Sequence, residues 1–324
     1  MPISAEVEAY AAEHLKPFVR PPERTRYERI RSFIMLPFGI LRLLLSVLVI
    51  TLPWNAIARF QLYITTILSD GEIGRIMQII FRAQSSFFAT LQLKMLGFKV
   101  AVHGEFAPRT KEGLKPTVVV NHQSYLDILV LIAVGCPSFV ARIGSEKIPL
   151  FGAGVRVHDC VLVDRSSEES RKAAKEAIHA RMQSKKSEVP LLIFPEGTTT
   201  NGNYLIPFKT SAFEPGVAVQ PIVIKYRATH FKPYWVTLPI VDHIKRTMAH
   251  FRTKVDVYIL PAHIPTEAEK ADPVLFAQNV RMDMGEAAKV PLFDVTTRAK
   301  FAYQKARVGK MDLADLKALV EVEE

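Results

Sequence analysis

The chain has 324 residues, 49% of them hydrophobic and 23% charged, which excludes a wholly disordered protein and allows a sizeable core. Lys and Arg number 42 against 32 Asp and Glu, and the resulting formal charge of +10 favours an anionic partner, either nucleic acid or a phospholipid surface. The two cysteines, Cys136 and Cys160, lack both metal-ligand and disulfide-framework spacing. We therefore expect a reducing compartment and no metal site.

The N-terminal third favours a phospholipid membrane as partner, and no nucleic acid. Residues 1–32 form a basic cytosolic leader with a short predicted helix from Glu6 to His14. An apolar run follows from Phe33 to Pro53, close to the roughly 20 residues that cross a bilayer, and basic flanks are typical of its cytosolic side. Arg42 interrupts the run, so a full span and a shallow re-entrant insertion both remain open, beside a buried core helix.

The next segment, Glu72 to Leu96, carries apolar residues at near-helical spacing and predicts an amphipathic helix. It fits equally a helix packed on the following domain and one lying at a lipid interface. We expect residues 33–97 to form a membrane-associated helical region.

From Phe98 onward, short aliphatic runs alternate with polar or helical segments, which predicts an α/β domain over residues 98–265. Its mixed, largely buried β-sheet should be flanked by helices, one of them within Ser166 to Ser184. Residues 266–324 read as a helical tail in which Thr266 caps the first helix. The predicted strands are Lys99–His103, Thr117–Asn121, Val161–Asp164, Leu191–Phe194, Val219–Tyr226 and Lys254–Leu260.

Two polar segments follow predicted strands, at the positions where functional groups of α/β proteins gather. The first places His122 five residues before Asp127, a base and an acid that could together activate a hydroxyl. They can meet only if His122 lies in the turn and Asp127 in the first turn of the next helix. Ser124 lies in no nucleophile elbow, so the activated hydroxyl is expected to belong to the substrate.

The second segment, Phe194-Pro195-Glu196-Gly197-Thr198, completes a set of sequence blocks that resembles the PlsC-like glycerolipid acyltransferase family. Asn121-His122-x4-Asp127 is similar to its first block, Pro149 to Arg165 to its second, and Val219 to Ile224 to its fourth. Phe208-Lys209-x-x-Ala212-Phe213 and Ala277-x-Asn279-Val280-Arg281 resemble the branch of lysophosphatidylcholine and lysophosphatidylethanolamine acyltransferases. The similarity runs from about residue 30 to about residue 300.

This resemblance implies acyl transfer from acyl-CoA, as co-substrate and without another cofactor, to the free hydroxyl of a lysophospholipid. It makes His122 the general base and Asp127 its orienting partner, with no covalent acyl-enzyme. It assigns substrate binding to Arg165, Glu196, Gly197 and Thr198, with Lys209 assisting at phosphate or CoA. A surface ion pair is the alternative for Arg165, and Glu196 would hold a glycerol hydroxyl or position Arg165, because a carboxylate repels phosphate.

One departure from the family bears on the acceptor. Lysophosphatidate acyltransferases usually have Arg where this chain has Thr199, which removes a positive charge from the phosphate site. We therefore expect a zwitterionic lysophospholipid with a singly charged phosphodiester. The alternatives are a lysophosphatidate acyltransferase, a non-catalytic subunit with this fold, and a thioesterase. The family also implies an endoplasmic reticulum membrane, and a cytosolic supply of acyl-CoA favours a hairpin that keeps the active site facing the cytosol. Oligomeric state is not predicted.

Overall fold

The computed structural model describes residues 5–19, 26–67, 72–135, 137–149, 152–164, 167–186, 189–227 and 232–321. Its helices are α1 Ala5–His14, α2 Arg26–Ser46, α3 Leu52–Ile67, α4 Glu72–Met95, α5 Leu126–Val134, α6 Gly152–Val157, α7 Glu168–Met182, α8 Ile240–Met248, α9 Glu267–Ala271, α10 Pro273–Ala288, α11 Thr297–Arg307 and α12 Leu313–Glu321. Its strands are β1 Phe98–His103, β2 Thr117–Val120, β3 Ser138–Arg142, β4 Val161–Val163, β5 Leu191–Ile193, β6 Val219–Arg227 and β7 Thr253–Ile259.

The seven strands form one sheet in the order β1-β7-β6-β2-β5-β3-β4, in which only β6 and β7 pair antiparallel. The valines of β2 are completely buried, because helices cover both faces of the sheet, and such continuous β-branched runs suit a central parallel strand. The predicted α/β fold is confirmed. As β2, β5 and β6 run in the same direction, the segments after them meet at one edge of the sheet.

The N-terminal apolar segment is helical and largely exposed. The stretch Arg29–Ile64 is long enough and apolar enough to cross a membrane. Only 17% of its most apolar part is buried within the protein. A π-helical turn over Val47–Thr51 joins α2 to α3. Arg42 turns towards the sheet domain, where its guanidinium donates to the carbonyls of His250 at 2.7 Å and Phe251 at 3.3 Å. These bonds give the charge polar partners within the protein.

The leader and the tail pack together. Val7 and Ala11 of α1 share a buried cluster with Tyr303 of α11 and Leu316 of α12. Tyr303 also donates to Glu8 at 2.8 Å. Segments at opposite ends of the chain therefore form one small core beside the sheet edge that carries the polar segments.

Candidate active site

The side chains of His122 and Asp127 meet, as predicted for a histidine in the turn and an aspartate in the first turn of the next helix. His122 lies in the loop after β2, and Asp127 is the second residue of α5. The loop is held by Asn121, whose side chain exchanges hydrogen bonds with the backbone of Ile224 in β6 at 2.8 and 3.0 Å. His122 Nδ1 then lies 2.9 Å from Asp127 Oδ2. The pair can keep the other ring nitrogen, Nε2, oriented towards a substrate.

The Asp127 carboxylate is fully buried and accepts four hydrogen bonds. Besides the His122 ring, its donors are the backbone N–H groups of Gln123 at 2.6 Å and Ser124 at 2.9 Å, and the Tyr226 hydroxyl at 2.7 Å. Burial, followed by the charge of Asp127, raises the pKa of Tyr226 well above its usual value, so this hydroxyl remains a donor. Four donors fix the carboxylate in one orientation.

The His122 ring is stacked on Phe194, with centroids 4.0 Å apart and planes 19° from parallel. Its side chain is 20% exposed, and none of the residues that the structure describes hydrogen-bonds Nε2. By contrast, Ser124 is completely buried, and its hydroxyl accepts from the N–H of Leu126. Of the two side chains, His122 can reach a substrate.

Glu196 holds the loop that carries His122. Its side chain is completely buried, and Oε1 accepts from the backbone N–H of His122 at 2.8 Å. Burial raises the pKa of Glu196 to about 8, although the N–H groups of His122 and Ile206 favour the ionised form. Glu196 therefore contacts the site through the His122 backbone, and its predicted role in substrate binding remains a prediction.

The turn after Glu196 is shaped by Gly197, whose φ of +65° is a left-handed conformation that glycine adopts without strain. A Cβ at this position would lie 2.6 Å from Lys209 Nζ, so the exposed Lys209 side chain lies directly over the glycine. Thr198 is partly exposed on the same turn. Gly197, Thr198 and Lys209 are thus brought together beside His122, whereas Arg165 lies outside the described residues.

Sequence reasoning missed a buried cation, Lys300 of α11. Its ammonium donates to Thr198 Oγ1 at 2.8 Å, to the Thr199 carbonyl at 2.6 Å and to Thr199 Oγ1 at 3.1 Å. Burial lowers the pKa of Lys300 to about 8, an effect that the nearby Glu196 opposes. Lys300 lies on the apolar face of α11, beside Ala299 and Tyr303. A lysine among the apolar positions of an amphipathic helix was the sequence signal that could have indicated a buried cation.

Comparisons with known proteins agree with this architecture. An acyltransferase family model matches residues 99–225. Lysophosphatidylcholine acyltransferase 2 from Danio rerio is 33% identical over 87% of this chain and 54% of that protein. Lysophospholipid acyltransferase LPEAT1 from Arabidopsis thaliana is 36% identical over 62% of this chain and 52% of that protein.

Among solved structures, the 1-acyl-sn-glycerophosphate acyltransferase PlsC from Thermotoga maritima has the same fold. The TM-score is 0.52 at 20% sequence identity, and the similarity covers 81% of this chain and 98% of that chain. Together with the ordered sequence blocks, these similarities show that the chain belongs to the PlsC-like glycerolipid acyltransferase family. Within that family it groups with the lysophosphatidylcholine acyltransferase branch. The chain spans about half the length of these curated relatives.

Proposed function

We propose that this protein transfers a fatty acyl group from acyl-CoA to the free glycerol hydroxyl of a lysophospholipid, with lysophosphatidylcholine or lysophosphatidylethanolamine as acceptor. The observation that carries the proposal is the hydrogen bond between His122 Nδ1 and Asp127 Oδ2, which leaves Nε2 available on a partly exposed ring. The names of the relatives support the acceptor class.

In the proposed reaction, His122 Nε2 takes the proton of the lysophospholipid hydroxyl as its oxygen attacks the thioester carbonyl. Asp127 stabilises the imidazolium that forms. The tetrahedral intermediate then collapses: the C–S bond breaks, CoA leaves as a thiolate, and the thiolate takes the proton from His122. The new C–O ester bond remains in the phospholipid. No protein nucleophile takes part, which agrees with the burial of Ser124.

Lipid substrates fit two apolar features outside the catalytic loop. Large side chains on α2 and α4 are exposed, among them Phe33 at 83% and Phe87 at 64%. A cavity of about 880 Å³ lies between α4 and β1, with mainly apolar walls that include Leu93, Phe98 and Val134. Both features support an enzyme that works at a membrane, and we propose a re-entrant arrangement that keeps leader and site on the cytosolic face of the endoplasmic reticulum.

The test is an acyltransferase assay of the full chain in phospholipid vesicles, with radiolabelled acyl-CoA and a panel of acceptors. The proposal predicts labelled phospholipid with lysophosphatidylcholine or lysophosphatidylethanolamine, and less with lysophosphatidate. CoA release that is independent of any acceptor would instead identify a thioesterase. Absence of both products, with stable co-purification in a larger complex, would identify a non-catalytic subunit.

A further inference from the structure

The turn that carries Thr198 and Thr199 is hydrogen-bonded to a buried lysine, Lys300. Lys300 is 3% exposed, yet its ammonium group makes three hydrogen bonds, all of them to these two threonines. Desolvating an ammonium is costly unless its donors are satisfied, so the position requires these acceptors. An apolar side chain would fill the same space without the free-energy cost of desolvating an ammonium group.

The direction of these bonds fixes the threonine protons. An ammonium can only donate, so both hydroxyl oxygens accept from Lys300, and their own protons must point elsewhere. The Thr199 hydroxyl donates to the Trp235 carbonyl at 2.5 Å. Within the described part of the chain the Thr198 hydroxyl has no acceptor, and the backbone N–H groups of Thr198 and Thr199 donate to no other residue. Several donors on a partly exposed turn are thus available to an anion.

The positive charges near this turn also favour an anionic ligand. The segment from Glu196 to Thr200 contains no cation of its own, whereas Lys300 lies beneath it and Lys209 lies over Gly197. A hydroxyl that accepts from a cation becomes a stronger donor through its own proton. The turn therefore presents polarised donors above a buried positive charge, beside the general base.

We propose that Lys300 is a positioning residue for the phosphate group of the lysophospholipid, which fixes and polarises Thr198 so that its hydroxyl donates to a phosphate oxygen. This inference rests on the proposed function and names the part of the site that recognises the acceptor. The phosphate receives a direct bond from Thr198 and an electrostatic contribution from Lys300, which itself does not touch the lipid.

The pH dependence follows from the surroundings of Lys300. Because its pKa is lowered to about 8, Lys300 loses its charge as the pH rises through that value, and recognition of phosphate should weaken there. The guanidinium of an arginine would stay charged throughout this range. Among the described residues, Glu196 is the charged group that acts on Lys300, and Asp127 and Arg281 in turn act on Glu196.

The experiment measures KM and kcat for lysophosphatidylcholine with Lys300→Met, Lys300→Arg and, as matched control, Lys305→Met, an exposed lysine on the same helix. We expect Lys300→Met to raise the KM for lysophosphatidylcholine by about 10- to 100-fold, with little change in kcat or in the KM for acyl-CoA. Lys300→Arg should restore much of the affinity and abolish the rise of KM above about pH 8. Lys305→Met should match the parent protein.

Direct binding separates this inference from the proposed function, because it requires no turnover. Titration with lysophosphatidylcholine and with a monoacylglycerol, which lacks phosphate, should show that Lys300→Met weakens only the former. Thr198→Val provides the same test if Lys300→Met does not fold, and should give the same selective loss. A folded Lys300→Met or Thr198→Val protein that binds lysophosphatidylcholine like the parent would overturn the inference. So would equal weakening of both lipids, which would indicate a purely structural role.

Discussion

The Tyr226 hydroxyl donates to Asp127 Oδ1 at 2.7 Å, whereas His122 bonds Oδ2, so a residue of β6 completes the support of the His122–Asp127 pair. Tyr226→Phe removes this one bond and keeps the ring. Because hydrogen bonds to charged groups contribute about 1.5–3 kcal/mol, we expect kcat to fall on the order of tenfold or more with an unchanged fold. Tyr258→Phe is the control, since among the described residues its hydroxyl accepts from the exposed Arg227 alone. Equal kcat values for the two variants would exclude this role of Tyr226.

Gly197→Ala tests the shape of the turn. The left-handed backbone at φ +65° makes alanine cost about 1 kcal/mol, and the added Cβ would crowd the Lys209 side chain. Gly113 has a φ of +82°, and apart from its chain neighbours no described residue has an atom within 4 Å of an added Cβ, so Gly113→Ala carries the backbone cost alone. We expect both variants to lose similar stability in urea unfolding, and only Gly197→Ala to raise the KM for the lysophospholipid. A normal KM for Gly197→Ala would show that this turn does not contact the acceptor.

Glu196 should make stability depend on pH. Its pKa is about 8 when folded, against an ordinary value of 4.5, so between these values the folded protein keeps a proton that the unfolded chain releases. Stability contributed by this group is therefore present below about pH 4.5 and is lost as the pH rises to about 8. Glu196→Gln should flatten this slope, measured as the Tm in detergent at about pH 5 and about pH 8. The exposed Glu176→Gln should retain the parent slope; the same slope in Glu196→Gln would refute the assignment.

The expected effect of Thr199→Arg depends on Lys300, which bonds to Thr199. The new guanidinium would lie close to a buried ammonium and would remove the hydroxyl that accepts from Lys300 and donates to Trp235. We expect the single variant to lose stability, most at low salt, and not simply to gain lysophosphatidate as acceptor. Thr199→Arg combined with Lys300→Met restores the original charge and should recover stability in the same unfolding assay. A single variant as stable as the parent would contradict this reading.

What the sequence revealed about this protein was mostly local. Continuous apolar runs marked six of the seven strands, whereas β3 was missed because Ser138 and Arg142 frame a short apolar core. The pairing of His122 with Asp127 depends on one turn and one helix start, so spacing alone could state its condition. Tyr226 and Lys300 reach the site from 99 and 102 residues away, through strand order and tail packing that no local pattern encodes.

We expect His122, oriented by Asp127, to activate the acceptor hydroxyl. The measurement that tests it most directly is acyl transfer from acyl-CoA to lysophosphatidylcholine by the parent, His122→Ala and Asp127→Asn. As control, His103→Ala disrupts an exposed histidine–aspartate pair with a similar 3.1 Å separation from Asp256. We expect a loss of about 10²- to 10⁴-fold in kcat for His122→Ala, with retained fold and lipid binding, and parent activity for His103→Ala. A folded His122→Ala protein that turns over at the parent rate would contradict it.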